Sequence, residues 1–241
     1  MTSYFLKRPF DIIFSATVLV VFSPLLIGSL IAVWLQDRKN PFFMATRVAR
    51  NGGDFTMMKV RSMVVDAQSS GVNSTGAGDM RITKVGHFIR RYKVDELSQF
   101  INVLIGDMSV VGPRPNTRAW GVDLYTTVEQ DLLSVRPGIT DLSSIIFSDE
   151  GDILKDEPHP DEAYNALIRP WKSRLGLLYI AHQSLSLDFR IILLTALAVI
   201  NKDKARKGVV RIVAQLGAEQ ALVDVCKRNT PLVPVSPPGA L

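Results

Sequence analysis

Residues 12–36 read IIFSATVLVVFSPLLIGSLIAVWLQ, 25 positions without a charge. As one helix they would run about 37 Å, more than a bilayer core of roughly 30 Å. A cleaved signal peptide does not fit: its apolar region is about 7–15 residues long, and no small-residue cleavage site follows here. Two readings remain open, a straight spanning helix and a broken helix that enters a membrane and returns. Ser23-Pro24 sits mid-run, and proline removes a helical hydrogen bond and kinks the helix. Lys7 and Arg8 precede the run, and Arg38 and Lys39 follow it. Basic residues at both ends suit two ends on one side of the membrane. Kinked spanning helices also exist, so the residues alone leave both readings standing.

The run lies in a chain of 241 residues with net charge +5, 47% apolar and 21% charged. Such a length suits one domain with appendages, here a segment at 1–40, a body at 41–200, and a basic, proline-rich end at 201–241. The single cysteine excludes a disulfide framework and any multi-cysteine zinc site. Three scattered histidines, His87, His159 and His182, make no metal centre. The positive balance favours anionic partners. No helix-turn-helix, zinc-finger or aromatic stacking motif accompanies it, so nucleic acid is not among them.

Outward from the run, residues 42–63 read as two strands around the turn Asn51-Gly52-Gly53, crowded by Arg47, Arg50, Lys59 and Arg61. Residues 66–80 read as a mobile Gly/Ser-rich loop. Its Gly76-Ala77-Gly78 is no dinucleotide fingerprint, because Arg81 stands where the third glycine belongs. Residues 85–106 read as one helix with an apolar stripe of Leu97, Phe100, Ile101 and Leu104. On that helix Asp95 would lie about 160° from the stripe, turned towards solvent or a site. Arg90, Arg91 and Lys93 precede the Asp95-Glu96 pair. Arg114, held between two prolines, and Arg136 on an Arg-Pro-Gly turn are suited to phosphate recognition. Residues 150–162 read as a loop, and 162–182 and 184–200 as helices. The basic stretch 201–211 suits a membrane surface or a solvated helix end. Residues 231–241 read as a disordered tail.

These pieces resemble the monotopic bacterial sugar transferases, the polyprenyl-phosphate phosphoglycosyl transferases, in their short form. The resemblance runs from about Lys7 to Asn201. It rests on KRPFD before the run, Ser23-Pro24, KVRSM at 59–63, DMRITKVGHFIRR at 79–91, DEL at 95–97, INVLIGDMSVVGPRP at 101–115, RPGIT at 136–140 and SLSLDFRIILLT at 184–195. It implies a membrane-associated α/β fold: a re-entrant membrane helix broken at Ser23-Pro24, a small β-hairpin or sheet, and surrounding interfacial amphipathic helices. It implies transfer of a sugar-1-phosphate from a UDP-sugar to undecaprenyl phosphate, a polyprenyl phosphate, with release of UMP, at the cytoplasmic leaflet of a bacterial inner membrane. Asp95 would be the nucleophile and bind Mg²⁺, beside Glu96. Arg114 and Arg136 would bind phosphate, as would Lys59, Arg61, Arg90 and Arg91.

Ser98 stands where the family usually has proline, a change expected to loosen that turn slightly. Asp141 stands where glycine is usual, and Ala49 likewise. Residues 141–165 follow the family poorly and are expected to shape sugar choice. The apolar helix at 191–200 suits a second copy, as a homodimer, as well as a membrane. The alternative to an enzyme is a catalytically silent membrane adaptor of polysaccharide assembly with the same fold.

Overall fold

The structure, a computed structural model, describes residues 4–67, 79–119, 121–155 and 157–240. The Gly76-Ala77-Gly78 loop therefore lies outside the described residues.

The hydrophobic run forms two helices, α1 (Lys7–Val21) and α2 (Ser23–Asp37). They bend by 62° at Phe22. Pro24 sits in the first turn of α2, where its missing N–H costs nothing. The Ser23 hydroxyl donates to Val20 O at 2.8 Å across the break. Among the described residues no single helix is long and apolar enough to cross a membrane. The bent pair exposes Ile12, Ile13, Val20, Val21, Phe22, Leu25, Ile27, Ile31, Trp34 and Leu35. An apolar surface that continuous marks an interaction face.

A buried polar network fastens α1 to the body. Lys7 Nζ donates to Asp188 at 2.8 Å and reaches Asp11 at 3.1 Å. Asp11 accepts from the Ser109 hydroxyl at 2.8 Å. Asp188, wholly buried, also accepts from Tyr4 at 3.0 Å and Tyr179 at 2.6 Å. At the other end, the Arg61 fork meets both oxygens of Asp37 at 2.7 Å each.

The hairpin has strands β1 (Phe42–Val48) and β2 (Asp54–Val60), paired antiparallel. Asn51 and Gly52 take the left-handed conformations its turn needs. Phe43, Ala45 and Arg47 pair across the strands with Lys59, Met57 and Phe55 and so share one face. A parallel pair, β3 (Ser109–Val111) and β4 (Gly138–Thr140), follows. A Cβ on Gly138 would lie 2.2 Å from Gly112 N, so glycine permits this close approach.

The expected helix over 85–106 is interrupted. It comprises α3 (Lys84–Arg91), a 3₁₀ turn Val94–Glu96, and α4 (Gln99–Ile105). Lys93 adopts φ 57°, a left-handed conformation that costs a non-glycine residue on the order of 1 kcal/mol or more. Ser98 does more than replace a proline. Its buried hydroxyl donates to Met58 O at 3.1 Å and ties the start of α4 to β2. Asn102 adds two bonds to β2, accepting from Met58 N and donating to Thr56 O.

Beyond β4 come α5 (Leu142–Ile146), α6 (Glu150–Ile153) and α7 (Pro160–Ala163). A π-helical turn Tyr164–Ile168 leads into α8 (Arg169–His182) and α9 (Leu185–Ile200). Asp141 caps α5, accepting from Ser144 N at 2.7 Å. The segment read as a loop thus begins with a short helix. The basic stretch opens α10 (Lys202–Gln215), whose Ala205, Val209, Ile212 and Val213 are buried, and α11 (Gln220–Lys227) follows. The proline-rich end is ordered, contrary to expectation. Val235 N donates to Ala166 O at 3.2 Å, Arg174 to Ser236 O at 3.0 Å, and Leu232 and Val235 pack on the core. Proline stiffness lowers the entropy lost when such a strap is laid down.

Asp188→Ala would leave Lys7, Tyr4 and Tyr179 with fewer buried acceptors. It should cost about 3 kcal/mol or more, read as a lowered unfolding midpoint of the full chain in detergent. An unchanged midpoint would refute the network's role.

Candidate active site

The strained turn at Lys93 decides where the acidic pair points. It buries Asp95 and sets Glu96 beside Arg114. The helical geometry expected from 97–104 does not extend back to 95, so Asp95 faces a cleft of cations rather than open solvent. Arg114 Nη2 donates to Glu96 Oε1 at 3.0 Å, and its Nη1 donates to Ile139 O on β4. Lys93 Nζ lies 4.0 Å from the same Glu96 oxygen.

Burial would push the Glu96 carboxyl up, but Arg114, Lys93 and Lys59 outweigh it and hold it at about 2. Asp95 goes the other way. Burial raises it above its ordinary value and Glu96 adds to the rise, against the pull of Lys59, Lys93 and Arg90. Asp95 Oδ1 is buried and has no hydrogen-bond partner. An unpartnered acceptor in a folded protein calls for an explanation, and an unfilled ligand position is one.

The cations that act on Asp95 are Lys59, Lys93 and Arg90. Lys59 rises from β2 and forms no ion pair or side-chain hydrogen bond among the described residues; burial and Arg114 lower its ammonium, opposed by Glu96 and Asp95. Arg90 closes α3 and acts on Asp95. Arg47, on the same hairpin face as Lys59, is lowered by burial and by Arg114. Arg47 stands near Arg114 although the sequence marked it only as one of several basic strand residues. The two-residue alternation that puts 47 and 59 on one face was the available signal.

Three expected residues lie elsewhere. Arg61 is buried and spends its fork on Asp37. Arg91 is exposed, its guanidinium 5.7 Å from the Tyr92 ring. Arg136 donates through Nε to Gly106 O at 2.8 Å, and its charged neighbours are Arg8, Arg50 and Asp11. The structure brings together Lys59, Arg90, Asp95, Glu96 and Arg114. It does not bring Arg61, Arg91 or Arg136 to them.

Asp95 Oδ1 thus lies unpartnered among Lys59, Lys93 and Arg90, beside the Glu96–Arg114 pair. Comparison with known proteins gives the family. Residues 2–202 match the family described as Bacterial sugar transferase. The chain is 36% identical over 151 residues to a UDP-N-acetylgalactosamine-undecaprenyl-phosphate N-acetylgalactosaminephosphotransferase of Aeromonas hydrophila, covering 61% of this chain and 36% of that protein. It is 36% identical over 201 residues to a UDP-glucose:undecaprenyl-phosphate glucose-1-phosphate transferase of Klebsiella pneumoniae, covering 82% and 41%. It is 34% identical over 210 residues to the exopolysaccharide production protein PSS of Rhizobium leguminosarum bv. phaseoli, covering 83% and 97%. The chain therefore spans well under half of the first two relatives and nearly all of the third. It belongs to the bacterial sugar transferase family.

Arg114→Met should leave Glu96 charged and poorly paired, at a cost of about 2–3 kcal/mol. Adding Glu96→Gln to Arg114→Met should recover most of that loss. Thermal unfolding of the four proteins of this cycle measures it, and purely additive losses would contradict the pairing.

Proposed function

We propose that the protein transfers a sugar-1-phosphate from a UDP-sugar to undecaprenyl phosphate through a covalent intermediate on Asp95. The observation that carries this reading is the buried, unpartnered Oδ1 of Asp95 among Lys59, Lys93 and Arg90. In the first step the Asp95 carboxylate attacks the sugar-bearing phosphorus. A new P–O bond forms, the bond to the bridging oxygen breaks, and UMP leaves with the electron pair. In the second step an oxygen of undecaprenyl phosphate attacks that phosphorus. The bond to Asp95 breaks, the carboxylate is restored, and the polyprenyl diphosphate sugar departs.

The surrounding residues divide the work. Arg114 is rigid, because one arm is bonded to Ile139 O and the other to Glu96. It orients Glu96 and places positive potential beside the transferring phosphoryl group. Lys59, without an ion pair among the described residues, disperses the charge that develops on the diphosphate, and Arg47, bonded through Nη1 to Thr46 O, adds positive potential from the same hairpin face. The donor set also fits Mg²⁺, a hard cation that takes one or two carboxylates together with substrate phosphates. The Asp95 carboxylate would hold it through the oxygen not used in attack, and the bound ion would offset diphosphate charge.

The same reading places the chain on the cytoplasmic face of a bacterial inner membrane. The apolar flank of α1 and α2 supports entry into one leaflet, with both ends of the bent pair returning to the water side. The Arg38 guanidinium lies 4.3 Å from the Trp34 ring, a pairing suited to the membrane–water boundary.

UMP release from a panel of UDP-sugars, with Mg²⁺ and undecaprenyl phosphate, tests the reaction. Asp95→Asn should lower it by a factor of at least about 10³. Persistent release in that variant would sink the covalent step. No release by wild type from any sugar would favour the silent adaptor.

The pH profile gives a second test. Asp95 must be ionised to attack, and burial with the Glu96 charge raises it, so the acid limb of kcat/KM should lie above the ordinary aspartate range. Glu96→Gln removes a raising charge and should move that limb to lower pH. Movement to higher pH would contradict the assignment.

A further inference from the structure

A second group of cations lies apart from the Asp95 site, around the end of α4. Arg8 donates through Nη1 to Val103 O and through Nη2 to Leu104 O, at 2.9 Å for the latter. Arg136 donates through Nε to Gly106 O at 2.8 Å. Both guanidiniums are thus anchored on the last carbonyls of one helix, where positive charge is favourable. Gly106 takes φ 112° at this helix end, a conformation that favours glycine.

Arg50 completes the group from the hairpin tip. It is exposed, and among the described residues its side chain has no hydrogen bond or ion pair. Burial, Arg8 and Arg50 all weaken the hold of Arg136 on its proton, and Asp11 alone opposes them. That single acid is committed to Lys7, the Ser109 hydroxyl and Val110 N. Neither Nη of Arg136 is bonded within the described residues, and neither is buried. Arg8 and Arg136, anchored on neighbouring carbonyls with Arg50 acting on Arg136 from the hairpin tip, repel one another unless an anion joins them.

The surroundings indicate which anion. Phe5 is 83% exposed, Leu6 54% and Ile105 65%. Phe5 and Leu6 precede Arg8, and Ile105 precedes Gly106, so apolar side chains fringe the cationic group. This is the composition of a membrane–water boundary, where a headgroup phosphate meets arginine while neighbouring side chains enter the acyl layer. Arg8 also starts the bent helix pair, which carries the apolar flank away from this point.

We propose that Arg8, Arg50 and Arg136 form a second phosphate-binding site, distinct from the Asp95 site, that holds the headgroup phosphate of an acidic phospholipid. This rests on the membrane placement given above. The site would fix the depth and tilt of the body at the surface independently of substrate. The hairpin that carries Lys59 and Arg47 would then be pinned at its tip.

Flotation of the full-length protein with vesicles tests this. Neutral phosphatidylcholine vesicles are compared with the same vesicles doped with phosphatidylglycerol. Wild type should favour the doped vesicles. Arg50→Ala and Arg136→Gln should each lower that preference by about fivefold, the effect of one basic residue near an anionic surface. Arg50→Lys should retain it, and flotation with neutral vesicles should not change in any variant. Equal binding of wild type to both vesicles, or undiminished preference in Arg50→Ala and Arg136→Gln, would overturn the headgroup site while leaving membrane docking intact. Flotation with neither vesicle would overturn membrane docking and this site with it. A preference for undecaprenyl phosphate over phosphatidylglycerol, abolished in Arg50→Ala, would reassign the site to substrate and refute it as a phospholipid anchor.

Discussion

The Glu96–Arg114 pair determines what Asp95 is free to do. Two adjacent carboxylates compete for the same cations, and the one that wins a rigid partner is held low while the other is raised. Arg114 cannot turn towards Asp95 without giving up Ile139 O or Glu96. Glu96 therefore takes the strong partner, and Asp95 keeps an oxygen without one. Swapping the roles would give a tied nucleophile and a loose orienting group. The turn that imposes this order contains a lysine in a left-handed conformation, strain of the kind that persists where surrounding contacts over-determine it. Here those contacts are the Ser98 and Asn102 bonds that lock α4 onto β2.

The same body clamps both outer ends of the bent helix pair. Lys7 and Asp11 join α1 to β3 and α9 through buried acids, and Arg61 joins the end of α2 to the end of β2. Arg61 lies two residues beyond Lys59, so one strand carries a site cation and, just past its end, the clamp on the helix pair. A shift of the helix pair would have to break a buried ion pair or drag β2 with it. Breaking the buried Lys7–Asp188 pair costs several kcal/mol, whereas the Arg61–Asp37 pair is open to solvent at Asp37 and holds more weakly. The position of the helix pair and that of Lys59 are in this way mechanically linked.

Much of this was legible in the residues. The hairpin followed from the turn Asn51-Gly52-Gly53, the helices over 162–182 and 184–200 were read as such, and the mid-run proline allowed a bend without excluding a straight helix. The acidic pair and Arg114 were legible as a site through family resemblance. The break at Lys93 was not, because no glycine or proline marks it; tertiary bonds from Ser98 and Asn102 override a local preference for continuous helix. The proline-rich end read as disordered because composition does not reveal that Leu232 and Val235 find a groove on the core. Arg61 read as a phosphate ligand because its partner, Asp37, lies 24 residues away, beyond the hairpin.

Arg114 and Arg136 show why residue type and motif underdetermine role. Both are arginines flanked by proline in tight turns, and both anchor on backbone carbonyls. Arg114 finds an acid, and the pair becomes a fixed dipole at the reacting centre. Arg136 finds two more arginines, and its charge stays uncompensated. A compensated guanidinium orients; an uncompensated one recruits an anion. The difference lies in what α1 and the hairpin tip carry to each place, so it becomes visible only when the chain is folded. A single fold can therefore hold one phosphate for chemistry and another for position, provided that each cation cluster keeps its own set of acids.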